Sequence, residues 1–100
     1  VRPVYETFRP TSDWRQDEDS HILTVYLPGF ARNQIKVSTE GRNTLRVRGQ
    51  RFVAGNKWVQ FLEDHPIPQN GDALSVQAKF QGGVLTVSVA KSKPNPIPQN

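Results

Sequence analysis

His21, His65, the acidic run Asp17-Glu18-Asp19 and the basic set Lys36, Arg42, Arg46 and Arg48 are the side chains with which this chain could do chemistry. In Asp64-His65 a carboxylate could orient an imidazole for base catalysis, but no serine sits in a G-x-S-x-G turn and the chain has no cysteine. A hydrolase would therefore lack its nucleophile. Two histidines fall short of the three or four ligands a metal site needs, and both are read as isolated groups on or near the surface. Consecutive carboxylates diverge in a strand or turn, so Asp17-Glu18-Asp19 reads as a solvated acidic turn and not a cation grip. No G-x-G-x-x-G or G-x-x-x-x-G-K-[ST] cradle is present. The expectation is no enzyme, no cofactor and no metal.

Lys36, Arg42, Arg46 and Arg48 hold even positions on two runs that read as neighbouring strands, which sends them to one outward face. Phosphate or anionic lipid could bind there. No aromatic residue interleaves this stripe, as a single-strand binder would want, so a solvated face and no specific nucleic acid are expected. A net charge of +4, from thirteen Lys/Arg against nine Asp/Glu, specifies no partner.

The elements that must position these groups share one core, since 100 residues make one compact domain. With 35% hydrophobic residues and no disulfide, apolar burial must offset the entropy of ordering the chain. The absence of cysteine suits a reducing, cytoplasmic setting. No run of about 20 apolar residues exists to span a bilayer, and Val1 to Pro10 lacks a signal peptide's apolar segment. Any membrane tether would lie outside these residues.

Apolar periodicity of two recurs along the chain. Leu23, Val25 and Leu27 alternate ahead of the stop Pro28-Gly29. Ile35 and Val37, then Leu45 and Val47, flank a hairpin connection over 40–43. Leu74, Val76, Ala78 and Phe80 lead through Gly82-Gly83 to Leu85, Val87 and Val89. "KWVQFLEDHPIP" has apolar residues on both parities and reads as a strand that becomes an edge segment near Pro66 and Pro68. A short segment surrounds Trp14. These signals predict an all-β antiparallel β-sandwich with the odd-parity Leu, Val and Phe set as its core. The expected organisation is a flank over 1–13, a domain over 14–91 and a Pro-rich tail over 92–100.

"LPGFARNQIKVSTEGRNTLRVRGQR", with L-P-G closing one strand and L-x-V-x-G-x-R closing another, resembles the α-crystallin domain of small heat-shock proteins. "AKFQGGVLTVSVAK" resembles that domain's closing hairpin, with G-V-L at Gly83 to Leu85. "YETFRPTSDW" and "KWVQF…PIPQN" are similar to the plant subgroup named for restricted virus movement in the phloem. The resemblance implies an immunoglobulin-like sandwich and ATP-independent, chaperone-like binding of unfolding client proteins, with specialisation in stress or antiviral defence. Physically this is strand addition plus side-chain pockets.

Carried onto this sequence, the family's edge groove lies between Ile35 to Thr39 and Leu74 to Phe80, with Ile35, Val37, Leu74 and Val76 as candidate lining residues. "PIPQN" occurs twice. The first copy reads as a strand end and turn whose Ile67 packs at the sandwich edge. The second sits where relatives carry a docking tail, which makes Ile97 the candidate anchor. Between Gly49 and Trp58 lie eight residues, "QRFVAGNK", which can turn but not reach out, form an extra strand and return. A monomer or weak dimer is expected in place of a large strand-swapped oligomer. The alternative is a CS-type co-chaperone or scaffold module that docks on a folded partner.

Overall fold

The computed structural model describes residues 2–92. Eight strands run in order: β1 Val4–Thr7, β2 Thr11–Gln16, β3 Ser20–Tyr26, β4 Ile35–Glu40, β5 Thr44–Ala54, β6 Lys57–Pro66, β7 Gly71–Gln81 and β8 Val84–Lys91. They form two four-stranded sheets with orders β1-β6-β5-β4 and β2-β3-β8-β7. All pairings are antiparallel except β1 with β6. The expected sandwich is present, although Val4–Thr7 and Thr11–Asp13, read from sequence as flank, pair into its two sheets.

Parity builds the core. Because alternate residues face opposite ways along a strand, Leu23 and Val25 of β3, Leu45 and Val47 of β5, Phe61 of β6, and Leu85, Val87 and Val89 of β8 turn inward together. Leu27, Phe30 and Ile67 close the ends, Ile67 buried as its sequence position implied. Trp14 packs against this cluster from β2, and Phe8, just past β1 and bonded through its N–H to Gln60 O, packs on Phe30 and Phe61.

Glycines make the reversals. Gly82 and Gly83 have φ of +59° and +79° between the paired Gln81 and Val84, the two-residue hairpin turn that needs positive φ at both positions. The two recognisable motifs also touch. Arg51, last residue of L-x-V-x-G-x-R, lies 5.4 Å over the Phe30 ring, and a Cβ on Gly29 would stand 3.1 Å from its guanidinium carbon.

Gln50 to Lys57 does more than turn. β5 continues through Ala54, β6 begins at Lys57, and only Gly55 and Asn56 lie between. The segment thus reaches out and returns as the paired end of one long hairpin, contrary to the reading of it as a turn alone. β1 lies along β6 from Lys57 to Gln60, fastened by Val4 N–H to Asn56 O at 2.7 Å. Past Gln60, β6 is the sheet edge, as its prolines implied.

The acidic turn is solvated and self-bonded. Asp17 Oδ1 accepts hydrogen bonds from the Asp19 and Ser20 N–H groups, both at 2.8 Å. These bonds hold the Asp17 pKa below its ordinary 3.8. The hydrogen bond from Arg46 lowers that of Asp64. A carboxylate whose folded pKa is depressed contributes stability above its unfolded pKa, and that stability is lost as pH falls through the folded value. Thermal unfolding followed by circular dichroism is expected to give a Tm that is flat from pH 7 to 5 and falls below about pH 4. Asp17→Asn is expected to shrink that fall.

Candidate functional site

β4 and β7 are the outer strands of their respective sheets, each paired on one side only. Their free edges lie beside each other and enclose a cleft of ≈ 330 Å³. Ile35 and Val37 line it from β4, Ala78, Lys79 and Phe80 from β7, and Leu85 from β8.

The start of β4 is set by a single 3₁₀ turn, Arg32–Gln34. Gln34 Oε1 accepts the Ala31 N–H at 2.8 Å, and Gln34 N–H donates to Ala31 O at 3.0 Å. This clamp places Ile35 at the cleft. Arg32, also lining the cleft, donates from Nη2 to Phe80 O at 3.4 Å. The beginning of β4 therefore faces the end of β7. Unpaired edge N–H and C=O groups together with an apolar floor suit an added extended strand, and Arg32 and Lys79 leave the rim cationic.

Ile35 and Val37 line the cleft where the sequence placed them. Val76 does not: it packs against the core and pairs with Val89. Leu74 is 92% exposed and takes no part, a correction to its expected inward role. Asp72 is the cause. Its Oδ1 accepts the Leu74 N–H at 3.0 Å and its Oδ2 the Ser75 hydroxyl at 2.9 Å. These local bonds compete with the ladder, the register with β8 breaks between Gly71 and Val76, and Leu74 turns out. Arg32, Ala78, Lys79, Phe80 and Leu85 complete the lining beyond the sequence candidates. Ile97 lies outside the described residues.

The histidines also differ from their reading. His21 is buried, with its Nε2 within hydrogen-bond distance of Asn70 Oδ1. His65 is half-buried and its Nε2 stands 3.3 Å from Glu63 Oε1 without hydrogen-bond geometry. Asp64 turns to Arg46 instead, with Nε to Oδ1 at 2.8 Å and Nη2 to Oδ2 at 3.1 Å. No base dyad forms from Asp64-His65. Among the described residues no three His, Cys, Asp or Glu side chains gather as a metal site, and no helix is long and apolar enough to cross a membrane.

The strand orders and the paired free edges define an α-crystallin-type β-sandwich. The chain belongs to the Hsp20/alpha crystallin family, whose model matches residues 13–100. It is 36% identical over 88 residues to "Inactive protein RESTRICTED TEV MOVEMENT 2" of Arabidopsis thaliana, covering 87% of this chain and 24% of that protein. It is 33% identical over 92 residues to the "16.9 kDa class I heat shock protein 3" of Oryza sativa subsp. japonica, covering 81% and 62%. The chain thus spans about a quarter of the first relative's length and under two thirds of the second's. Among solved structures, a small heat-shock protein from Xylella fastidiosa superposes with a TM-score of 0.81 at 19% identity, over 93% of this chain and 94% of that one. That likeness concerns the fold.

Proposed function

We propose that this chain is an ATP-independent, chaperone-like binding module that takes extended apolar segments of unfolding proteins into the β4–β7 cleft. The observation that carries the reading is the pairing of two free strand edges over Ile35, Val37 and Phe80. Backbone hydrogen bonds would supply affinity, and side chains entering the cleft would supply selectivity. Family membership supports the chaperone-like role. Likeness to plant heat shock proteins supports a role in stress, likeness to the Arabidopsis protein named for restricted TEV movement supports one in antiviral defence, and the absence of cysteine suits a cytoplasmic setting. The cationic rim favours clients with acidic residues beside the apolar ones.

The same cleft is the place for Ile97 from the tail of a second copy. Self-association beyond a weak dimer is not part of the reading, because β1 of the same chain already lies on the β6 edge at Lys57 to Gln60. Docking on a folded chaperone, the alternative, draws on the plain β5–β6 hairpin. A pull-down comparing an unfolded client with a folded chaperone separates the two.

Light scattering of a heat-denaturing client, with the chain equimolar and nucleotide omitted, is the test. Scattering is expected to fall, and Val37→Asp or Phe80→Ser, checked for folding by circular dichroism, to restore it. Undiminished scattering at every ratio tried would remove the general holdase reading.

A further inference from the structure

We propose that the outer face of the β1-β6-β5-β4 sheet binds single-stranded nucleic acid, by base stacking on Trp58 and Phe52 and phosphate contacts from Lys36 and Arg48. This face lies on the other side of β4 from the β4–β7 cleft and adjoins it at Ile35, which lines both. The register writes it out in rows: Lys36 opposite Arg48 and Arg48 opposite Leu62, then Gln50 opposite Gln60 beside Thr7, then Phe52 opposite Trp58 beside Tyr5. The basic stripe legible in the sequence therefore does share its face with aromatic residues. These stand on the far part of β5 and on β6 and β1, beyond the two runs that carry the basic residues.

The three rings form a shelf. Tyr5 stacks on Trp58 at 6.0 Å and 29°, and Phe52 meets Trp58 edge-on at 5.6 Å and 69°. Phe52 stays 51% exposed and Tyr5 43%. A trough of ≈ 820 Å³ takes in the next two rows, lined among others by Thr7, Lys36, Arg48, Gln50, Gln60 and Leu62. Leu62 is four residue steps along the strand from Trp58, so shelf and cations lie about 13 Å apart.

Charge on this face still favours a polyanion: Asp64 is taken by Arg46, Glu40 stands at the far end of β4 opposite Thr44 and accepts from the Ser38 hydroxyl, and among the described residues neither Lys36 nor Arg48 has an ion-pair partner. Gln50 and Gln60 offer both donors and acceptors to base edges without enforcing one base. A single strand exposes base π-faces that a duplex hides, and stacking tolerates any base. A lipid surface fits less well, because polar Thr7, Gln50 and Gln60 interrupt the apolar area between the rings and the cations.

The test is fluorescence anisotropy of a labelled twelve-uridine oligonucleotide titrated with the full 100-residue chain. Binding is expected to weaken with salt at a log-log slope of about −1.4, the value for two phosphate contacts on a single strand. Trp58→Ala is expected to weaken it roughly tenfold or more. Lys36→Glu with Arg48→Glu is expected to abolish it, while Leu74→Asp on the other sheet leaves it unchanged. Should Trp58→Ala unfold by circular dichroism, Phe52→Ala replaces it. No anisotropy change would overturn the proposal, as would equal affinity for a duplex, binding indifferent to the charge variants, or binding to phosphatidylserine vesicles without binding to the oligonucleotide.

Discussion

Leu23→Ala is expected to cost about 3–5 kcal/mol of folding stability, the range for removing a fully buried leucine and leaving a partly collapsed cavity. The size of the effect follows from position. β3 lies between β2 and β8, and Leu23 stands between Trp14 and Val87 in register with no exposure. Its side chain is part of the single cluster that both sheets bury, so neighbours on either sheet lose contacts together. At about 4–8 °C per kcal/mol for a domain of this size, thermal unfolding by circular dichroism should show a Tm lower by roughly 12–40 °C. Ile22→Ala, one residue along and facing the other way, should cost far less. Similar losses from the two variants would mean that the two sheets do not share the odd-parity core.

Gly49→Ala is the second large effect, and its cause is space. The Gly49 backbone does not have positive φ, so alanine would be at ease with the dihedrals. Its Cβ, however, would stand 2.5 Å from the Gln34 carbonyl oxygen and 2.8 Å from Phe61 Cε1. The Phe61 ring is held in the core by Phe30 at 5.3 Å and Phe8 at 6.3 Å. The carbonyl belongs to the turn that sets Ile35. Overpacking of this kind costs about 1–3 kcal/mol, and relief by shifting Gln34 would move the start of β4 and one wall of the cleft. The expected result is a Tm lower by roughly 4–24 °C together with weaker client binding. Gly55→Ala is the contrast. Its φ is +60° but nothing stands within 4 Å of the added carbon, so it should cost about 1–2 kcal/mol from backbone strain alone and leave the cleft intact.

Gly49 also shows how much could be read before any coordinates. L-x-V-x-G-x-R marks a strand that turns Leu45 and Val47 inward, and the structure adds why the motif tolerates only glycine at its fifth place. β3, β4, β5, β7 and β8 are legible because alternating apolar residues and glycine turns are local signals. β1 is not, since "VYET" is short, exposed along its length and paired with residues some fifty positions away. The cleft was half legible. Ile35 and Val37 follow from parity, but the choice of Leu74 and Val76 took the wrong end of β7, because strand direction puts Phe80 beside Ile35. Leu74 failed for a further reason, the capture of its N–H by Asp72, which alternation cannot express. Burial of His21 depends on Asn70, a partner 49 residues away that no local pattern couples to it.

Methyl and amide NMR of the labelled chain, titrated with a permanently unfolded client such as reduced, carboxymethylated α-lactalbumin and without nucleotide, tests the central claim most directly. The methyls of Ile35, Val37 and Leu85 and the amide of Phe80 are expected to shift or broaden, while Val47 in the core and Leu74 on the surface stay in place. Client binding that leaves those cleft signals unmoved, or no binding at all, would contradict it.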